Sequence, residues 1–497
     1  MSEFDEYLPW TVQNRDTAQQ MEIQNALREK GSTLGKNCFI SCHAQMHDAI
    51  LSLGSDCLIC ADALVRHANV HAGNNCTVNT FAYLQGNIRM GNDVRIAPRA
   101  SIIADNHNHS DITCSIVSQG TAGKGIVIGD DVWIGANTVL VDGITVGSHS
   151  IIAAGSVVTK NVSDYVIMGG NPAHILKNRI ETYFAPKLEQ LLAKVTQQLA
   201  PMVEAHVHDG AYVDLSKGQS NARAWCDAVE LLALFGKTPS LMPKEQLIQT
   251  LQKMQSDSID YNVLSVGYAL ETLGTHVEKP YRKAMDYSGE ELVDFLQSFA
   301  WHGDVWHAGD AIDCLGTAFY QNQKYFGITP DCTTLFAWLD AKANPDTGLW
   351  GEGTGMDNVN GFYRLTRGTY AQFSHPLPYP EKTIDTVLAH SENLDYFAEE
   401  NGTSCNVLDV IHPLWLCHKQ TEYRYSEGRS WAFGWIDKII ANWSSMGFSF
   451  DLLLQNNPTL MATEMWLAIL WLLCDYVGIA HLLPYIPQGV HRPQTSL

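Results

Sequence analysis

Residues 125–158, GIVIGDDVWIGANTVLVDGITVGSHSIIAAGSVV, decide the fold of the first part of the chain. Ile128, Ile134, Leu140, Val146, Ile152 and Val158 recur at a step of six. Ile126, Val132, Thr138, Ile144, Ser150 and Ser156 keep the same step two places earlier. A helix buries residues three or four apart and a lone strand buries alternate ones, so a step of six belongs to neither. It fits a solenoid of short parallel strands and sharp turns, three six-residue units to a coil, each spaced aliphatic stacked on its counterpart one coil away. Gly129, Gly135, Gly147 and Gly155 fill tight corners between.

Outward from this stretch the pattern loosens. Leu53, Ile59 and Val65 are in step, the phase slips by one near Gly73, and Val78, Leu84, Met90, Ile96 and Ile102 resume it. The gap of 26 from Ile102 to Ile128 is not a multiple of six, so extra chain leaves the prism there. That excursion, ADNHNHSDITCSIVSQGTAGK, carries two histidines and no inward row. Long loops on rigid scaffolds are where function concentrates. Upstream, residues 16–30 read as a short helix opened by Asp16 and closed by Gly31. After GGNPA, helical periodicity takes over to about residue 483. Helices are expected near 221–236, 243–255, 259–274, 290–300, 308–326, 331–340, 360–374, 380–397, 405–418, 428–444 and 460–480.

Composition bounds the function. A chain of 497 residues is too long for one core, and 45% hydrophobic with 17% charged residues describes a folded globular protein. A formal net charge of −21 argues against nucleic acid and against an anionic membrane surface. The start, MSEFDEYLPWTVQNRD, has no apolar run and is not read as a signal peptide. The apolar stretch Met465 to Leu473 is closed by Asp475 and falls short of the ~20 residues a membrane span needs. The 12 cysteines form no disulfide pattern, and Cys57-x-x-Cys60 lacks the second pair a zinc site requires, so no metal is expected. A reducing cytoplasm is the expected location.

The words of the repeat, GIVIGDDVWIGANTVLVDGITVGSHSIIAAGSVVTKNV followed by GGNPA, resemble the hexapeptide-repeat acyltransferases, in particular the galactoside/maltose O-acetyltransferase branch, over residues 35–180. The resemblance implies a left-handed parallel β-helix, a homotrimer with active sites where neighbouring prisms meet, acetyl-CoA as co-substrate and a sugar or glycan hydroxyl as acceptor. In that branch an Ala-Pro pair precedes the catalytic histidine by a fixed count, and Ala97-Pro98 places His107 at that position. A neutral imidazole suits the task, since its unperturbed pKa of ~6.5 leaves it mostly unprotonated at neutral pH. His109 is its neighbour, and Asp105 is a candidate to orient the ring. The resemblance further implies a packing wall at Trp133 and a coenzyme slot along Ala136, Ala154, Thr159 and Lys160. Lys177 and Arg179 would meet the adenosine phosphates. On the acceptor side the chain has Thr77, Asn79 and Gln85, without the acid expected near Gln85, which puts a galactoside itself in doubt.

The expected organisation is therefore an N-terminal helical segment (1–34), a left-handed β-helix (35–180), an all-α domain resembling an α/α toroid (181–483) and a tail (484–497). The joint at 341–353, containing ANPDTGLWGEG, is weakly similar to loops of terpenoid-cyclase and protein-prenyltransferase toroids. Within this half WHGDVWHAGD (301–310) would set His302, Trp306, Asp310 and Asp313 on one helical stripe. CNVLDVIHPLW (405–415) puts Asp409 and His412 at i, i+3, where they can meet. Tyr363, Arg367 and Tyr370 add a third polar patch. These residues fit a core network, a second catalytic site, or a glycan or partner site. For the whole chain the readings are an O-acetyltransferase, a trimeric scaffold or glycan-binding protein, and a bifunctional protein with a separate glycan-active helical domain.

Overall fold

The computed structural model describes residues 17–214, 218–398 and 402–493, and the chain divides into two compact units, Met1–Phe184 and Ala185–Leu497. The first is a parallel β-solenoid of about seven turns. Both six-spaced rows point inward: every member from Ile126 to Val158 is buried. Trp133–Ile134 pairs in parallel with Arg95–Ile96 and with Ile151–Ile152, 18 residues on, so three six-residue units close one coil. The hydroxyls of the inward row bond to backbone where a methyl would pack: Ser156 Oγ donates to Ala153 O at 2.5 Å and Ser150 Oγ to Ser163 O at 2.7 Å.

The slip in phase has a physical cause. Early coils are 19 residues long, pairing Gln45 with Leu64 and Leu64 with Tyr83. The extra residues are Asp48 and His67, both left-handed in backbone (φ 50 and 44). Register shifts between Arg66 and Ala68, after which Ala68 faces Gly86 at the regular 18. The slip thus sits at His67, slightly upstream of Gly73, and acts as a bulge.

Corner residues form a polar ladder up one edge. Each backbone N–H that a tight turn leaves without a strand partner donates to a side chain one coil on. Ser55 N donates to Asn74 Oδ1 at 2.8 Å, Asn74 N to Asn92 Oδ1 at 2.9 Å, and Asn92 N to Asp130 Oδ1 at 2.6 Å. Asp130 N then reaches Ser148 Oγ at 3.0 Å, and Ser148 N reaches Asp164 Oδ1 at 2.9 Å.

The open edge of the first coil is covered by the helix Ala18–Glu29, whose N-cap is Thr17, while Asp16 lies outside the described residues. Gln20 donates to Ile40 O at 2.7 Å and accepts from Ile40 N at 3.0 Å, satisfying an edge that would otherwise be available for pairing.

The second unit is largely helical, and most of its helices lie within a few residues of the expected ranges; the one expected over 380–397 is two, Pro380–Ser391 and Leu394–Phe397, and a short one at Arg282–Met285 is additional. Six of them contact one another in a closed cycle: Ala222–Leu234, Asn262–Thr272, Val305–Phe326, Met356–Thr366, Ser404–His418 and Leu460–Tyr476, the last returning to the first. Two members approach so closely that only glycine fits. A Cβ on Gly309 would lie 2.4 Å from Gly361 O, and one on Gly316 would lie 2.1 Å from Gly368 O. Past Thr366 the chain continues as one π-helical turn, Arg367–Ala371, a local widening often found where a side chain must be re-aimed. Among the described residues no helix is long and apolar enough to cross a membrane.

Candidate functional sites

The excursion of the first unit is a hairpin. Asn106–His107 pairs antiparallel with Thr121–Ala122, His107 facing Thr121, and Ile116–Gln119 forms a single 3₁₀ turn between. Its two ends meet tightly: a Cβ on Gly123 would lie 2.4 Å from Ala104 O. His107 and His109 are exposed, and among the described residues neither imidazole has a hydrogen-bond partner; the backbone His107 N donates to Asn106 Oδ1 at 2.9 Å.

Asp105 does not engage His107. Both its oxygens accept from Gln85 Nε2, each at 2.9 Å, and Gln85 Oε1 in turn accepts from Tyr83 OH. An acid therefore does lie beside Gln85, from the following coil, where Gln85 is opposite Ile103, two residues before Asp105. Tyr83 was missed from sequence, though its place two residues before Gln85, on the same strand face, is a usable signal. Asn79 turns its Oδ1 back to accept from Thr80 N at 2.8 Å.

On the neighbouring face Trp133 is 54% exposed, pointing outward from the coil. Cross-strand register runs from Trp133 through Ile151 and Ile167 to Lys177, so the indole and this amine share one face. Ala136 and Ala154 stand at equivalent corners of adjacent coils, with Gly155 N donating to Ala136 O at 2.8 Å. Thr159, Lys160 and Lys177 are exposed, and neither lysine has an ion pair among the described residues. Arg179 is occupied: it lies 3.7 Å from Asp131 Oδ2 and donates to His149 O.

In the second unit the structure gathers some of the expected residues and separates others. The stripe begins later than expected, because the helix starts at Val305 with Asp304 as its cap. His302 falls outside it and pairs with Glu352 at 2.9 Å. Trp306, Asp310 and Asp409 line one cavity of about 440 Å³, together with Asn360, Tyr363 and the guanidiniums of Arg223, Arg364 and Arg367. Asp313 is fully buried, bonded to Arg367, whose Nε lies 3.0 Å from Asp313 Oδ2. Burial raises its carboxyl pKa, against the pull of that guanidinium.

Asp409 and His412 are not hydrogen-bonded to each other. Asp409 Oδ2 accepts from Asn360 Nδ2 at 2.7 Å, and its Oδ1 is buried with no partner. Burial pushes this carboxyl up to about 7, despite Arg364, Asn360 and Arg367. His412 has both ring nitrogens unbonded and packs on Tyr363 with centroids 5.0 Å apart, burial holding it neutral with a pKa of about 3. Tyr370 bonds to Asp340 at 2.6 Å and does not line the cavity. A larger depression of about 750 Å³ involves the C-terminal ends of two ring helices, and none of the sequence-derived residues lines it.

The first unit thus has the architecture of a hexapeptide-repeat solenoid with a hairpin excursion, and the resemblance to hexapeptide-repeat acyltransferases holds. Residues 125–160 match the bacterial transferase hexapeptide family (six repeats). The chain is 47% identical over 55 residues to a chloramphenicol acetyltransferase of Agrobacterium fabrum, covering 11% of this chain and 26% of that protein. It is 32% identical over 91 residues to the galactoside O-acetyltransferase of Escherichia coli, covering 18% of this chain and 43% of that one. It thus spans about a quarter of the first curated relative it matches and under half of the second. Among solved structures it is similar to AntD, an N-acyltransferase from Bacillus cereus in complex with dTDP and 3-hydroxybutyryl-CoA, with a TM-score of 0.29, 21% identity and coverage of 34% of this chain and 95% of that one.

Proposed function

We propose that the solenoid transfers the acetyl group of acetyl-CoA to a hydroxyl of a sugar or glycan, at the seams of a homotrimer, in the cytoplasm where acetyl-CoA is made. The observation that carries this reading is the exposed imidazole of His107, without a hydrogen-bond partner among the described residues and lifted off a rigid coil on a hairpin inserted in the 26-residue gap of the repeat. Acetyltransferase relatives support it.

His107 takes the acceptor hydroxyl's proton as the oxygen attacks the thioester carbonyl. The tetrahedral intermediate then collapses, the C–S bond breaks, and the imidazolium returns the proton to the leaving thiolate. Such a base contributes ~10²–10⁴-fold. Gln85, fixed by Asp105 and Tyr83, presents a rigid amide to acceptor hydroxyls, and Asn79 and Trp133 are the further acceptor-side residues. Asp105 belongs to this acceptor group, so orientation of His107 falls to another group, with His109 and the neighbouring protomer as candidates. The small corners at Ala136 and Ala154 let the pantetheine arm lie against the backbone, Thr159 continues that slot, and Lys160 and Lys177 are the cations left for phosphate.

The test is release of free CoA from acetyl-CoA with a panel of sugar acceptors, with mass spectrometry of the product. His107→Ala is expected to lower turnover ~10²–10⁴-fold and leave the melting temperature nearly unchanged, because the residue is exposed and its ring has no hydrogen-bond partner among the described residues. Turnover that survives this change at the wild-type rate would remove the proposed base.

A further inference from the structure

We propose that the cavity enclosed by the helical cycle of the second unit binds a sugar ring, stacked on Trp306 and hydrogen-bonded by Asp409 and Asn360. Such a site is separate from acetyl transfer and stands whether or not the solenoid is active.

The cavity lies where the cycle converges. Four of the six helices reach it with a residue of their first turn (Arg223, Trp306, Cys405 and Met461), and Tyr261 immediately precedes a fifth. Its wall has two characters. Leu408, Phe450, Met461 and Met465 are apolar, while Asp409, Asn360, Arg364 and Asp310 are polar or charged. Trp306 is half-buried, with the Arg364 guanidinium over its ring at 4.5 Å.

Asp409 supplies the observation that asks for a ligand. It is 1% exposed, lines the cavity, and keeps Oδ1 without a partner. An unsatisfied buried carboxyl oxygen costs about 1–3 kcal/mol or more, so a persistent one signals a group left open for something that binds. Its carboxyl keeps a proton near neutrality because of burial, so it can donate to a ligand hydroxyl as well as accept from one.

The chemistry of the walls selects the ligand class. Each guanidinium already has a carboxylate: Arg223 has Asp227 and Glu464, Arg364 has Asp310, and Arg367 has Asp313. No cation of this set is left over for a phosphate, which disfavours nucleotides and other polyanions. A wholly apolar ligand would leave Asp409 unsatisfied. A sugar ring has one C–H face for an aromatic and a rim of hydroxyls for acid, amide and guanidinium, which matches both kinds of lining residue at once. A volume of about 440 Å³ accommodates one ring with part of a neighbour.

The experiment uses the full chain and a panel of neutral hexoses, N-acetylhexosamines and hexuronic acids, each as monosaccharide and short oligosaccharide. Binding is read by calorimetry and located by hydrogen–deuterium exchange. At least one sugar is expected to protect peptides covering Val305–Asp313 and Ser404–His412, and the preferred arm tells whether the ring is neutral or acidic. Trp306→Ala and Asp409→Asn should each weaken that binding about tenfold or more, the size expected for a lost ring contact or buried hydrogen bond. Both variants are checked for retained exchange protection in the ring helices, so that misfolding is not read as lost affinity. Saturation by no sugar in the panel, protection confined to solenoid peptides, or unchanged affinity in both folded variants would overturn the proposal.

Discussion

Replacing Asp409 by asparagine separates the charge of the buried acid from its shape. In the folded chain burial holds the carboxyl at about 7, with Arg364, Asn360 and Arg367 pulling the other way. In the unfolded chain it titrates at its ordinary value of about 3.9. Folding therefore takes up a proton here between those values, and the stability attached to this group falls as pH rises from about 4 to about 7 and is level above. At about 1.4 kcal/mol per unit, a separation of roughly three units amounts to about 4 kcal/mol. Asparagine has no proton to hold, and its amide oxygen can still accept from Asn360 Nδ2, as Asp409 Oδ2 does at 2.7 Å. Asp409→Asn should therefore be close to neutral at acid pH and progressively more stable than wild type as pH climbs, with the gain flattening above about pH 7.

The assay is urea unfolding of both proteins across that pH range, followed by far-UV circular dichroism so that the helical unit dominates the signal. Asp227, which burial also holds at about 7 against Arg223, loses stability over the same interval in both proteins and cancels in the difference. Tyr363 and Cys405 also feel the charge of Asp409, and burial raises both so that they stay uncharged throughout. A difference that does not change with pH would mean that Asp409 ionises alike in both states, and would refute the dry, unpaired carboxyl on which the sugar site rests.

Two further outcomes follow from the solenoid. Ile152 is fully buried between the coils of Ile134 and Met168, so Ile152→Ala should cost about 2–5 kcal/mol and Ile152→Val roughly 1, measured by thermal or urea unfolding; near-equal costs would mean that the inward row is loosely packed. Iodoacetamide on the native protein should label the exposed Cys42 and Cys114, located by peptide mapping, and spare Cys60, whose thiol burial pushes up to about 12; rapid labelling of Cys60 would contradict a closed coil interior.

What was legible in the sequence depends on how the contact is encoded. The six-residue rows and most steps of the corner ladder outside the excursion repeat the same contact at nearly the same separation, 18 or 19 residues, so each repetition reinforces the others and the fold shows through. Even the inserted residue at His67 was detectable, because it breaks a count. The helices were legible for the same local reason. Asp105 and Gln85 meet once, at a separation of 20, two residues beyond the regular 18-residue partner Ile103, and a contact made once leaves no repeated count by which to read it. Asp409 and His412 were expected to meet because they are three apart on a helix, yet the helix only places them near one face. What Asp409 bonds to is Asn360, 49 residues earlier, and what His412 packs on is Tyr363. Both partners come from the helix Met356–Thr366, and the closed cycle of helices, which no local pattern records, is what brings that helix to them. The same cycle explains why His302 dropped out and Arg223 came in: membership of the cavity is decided by which end of a helix faces the convergence, and a stripe along one helix does not carry that information.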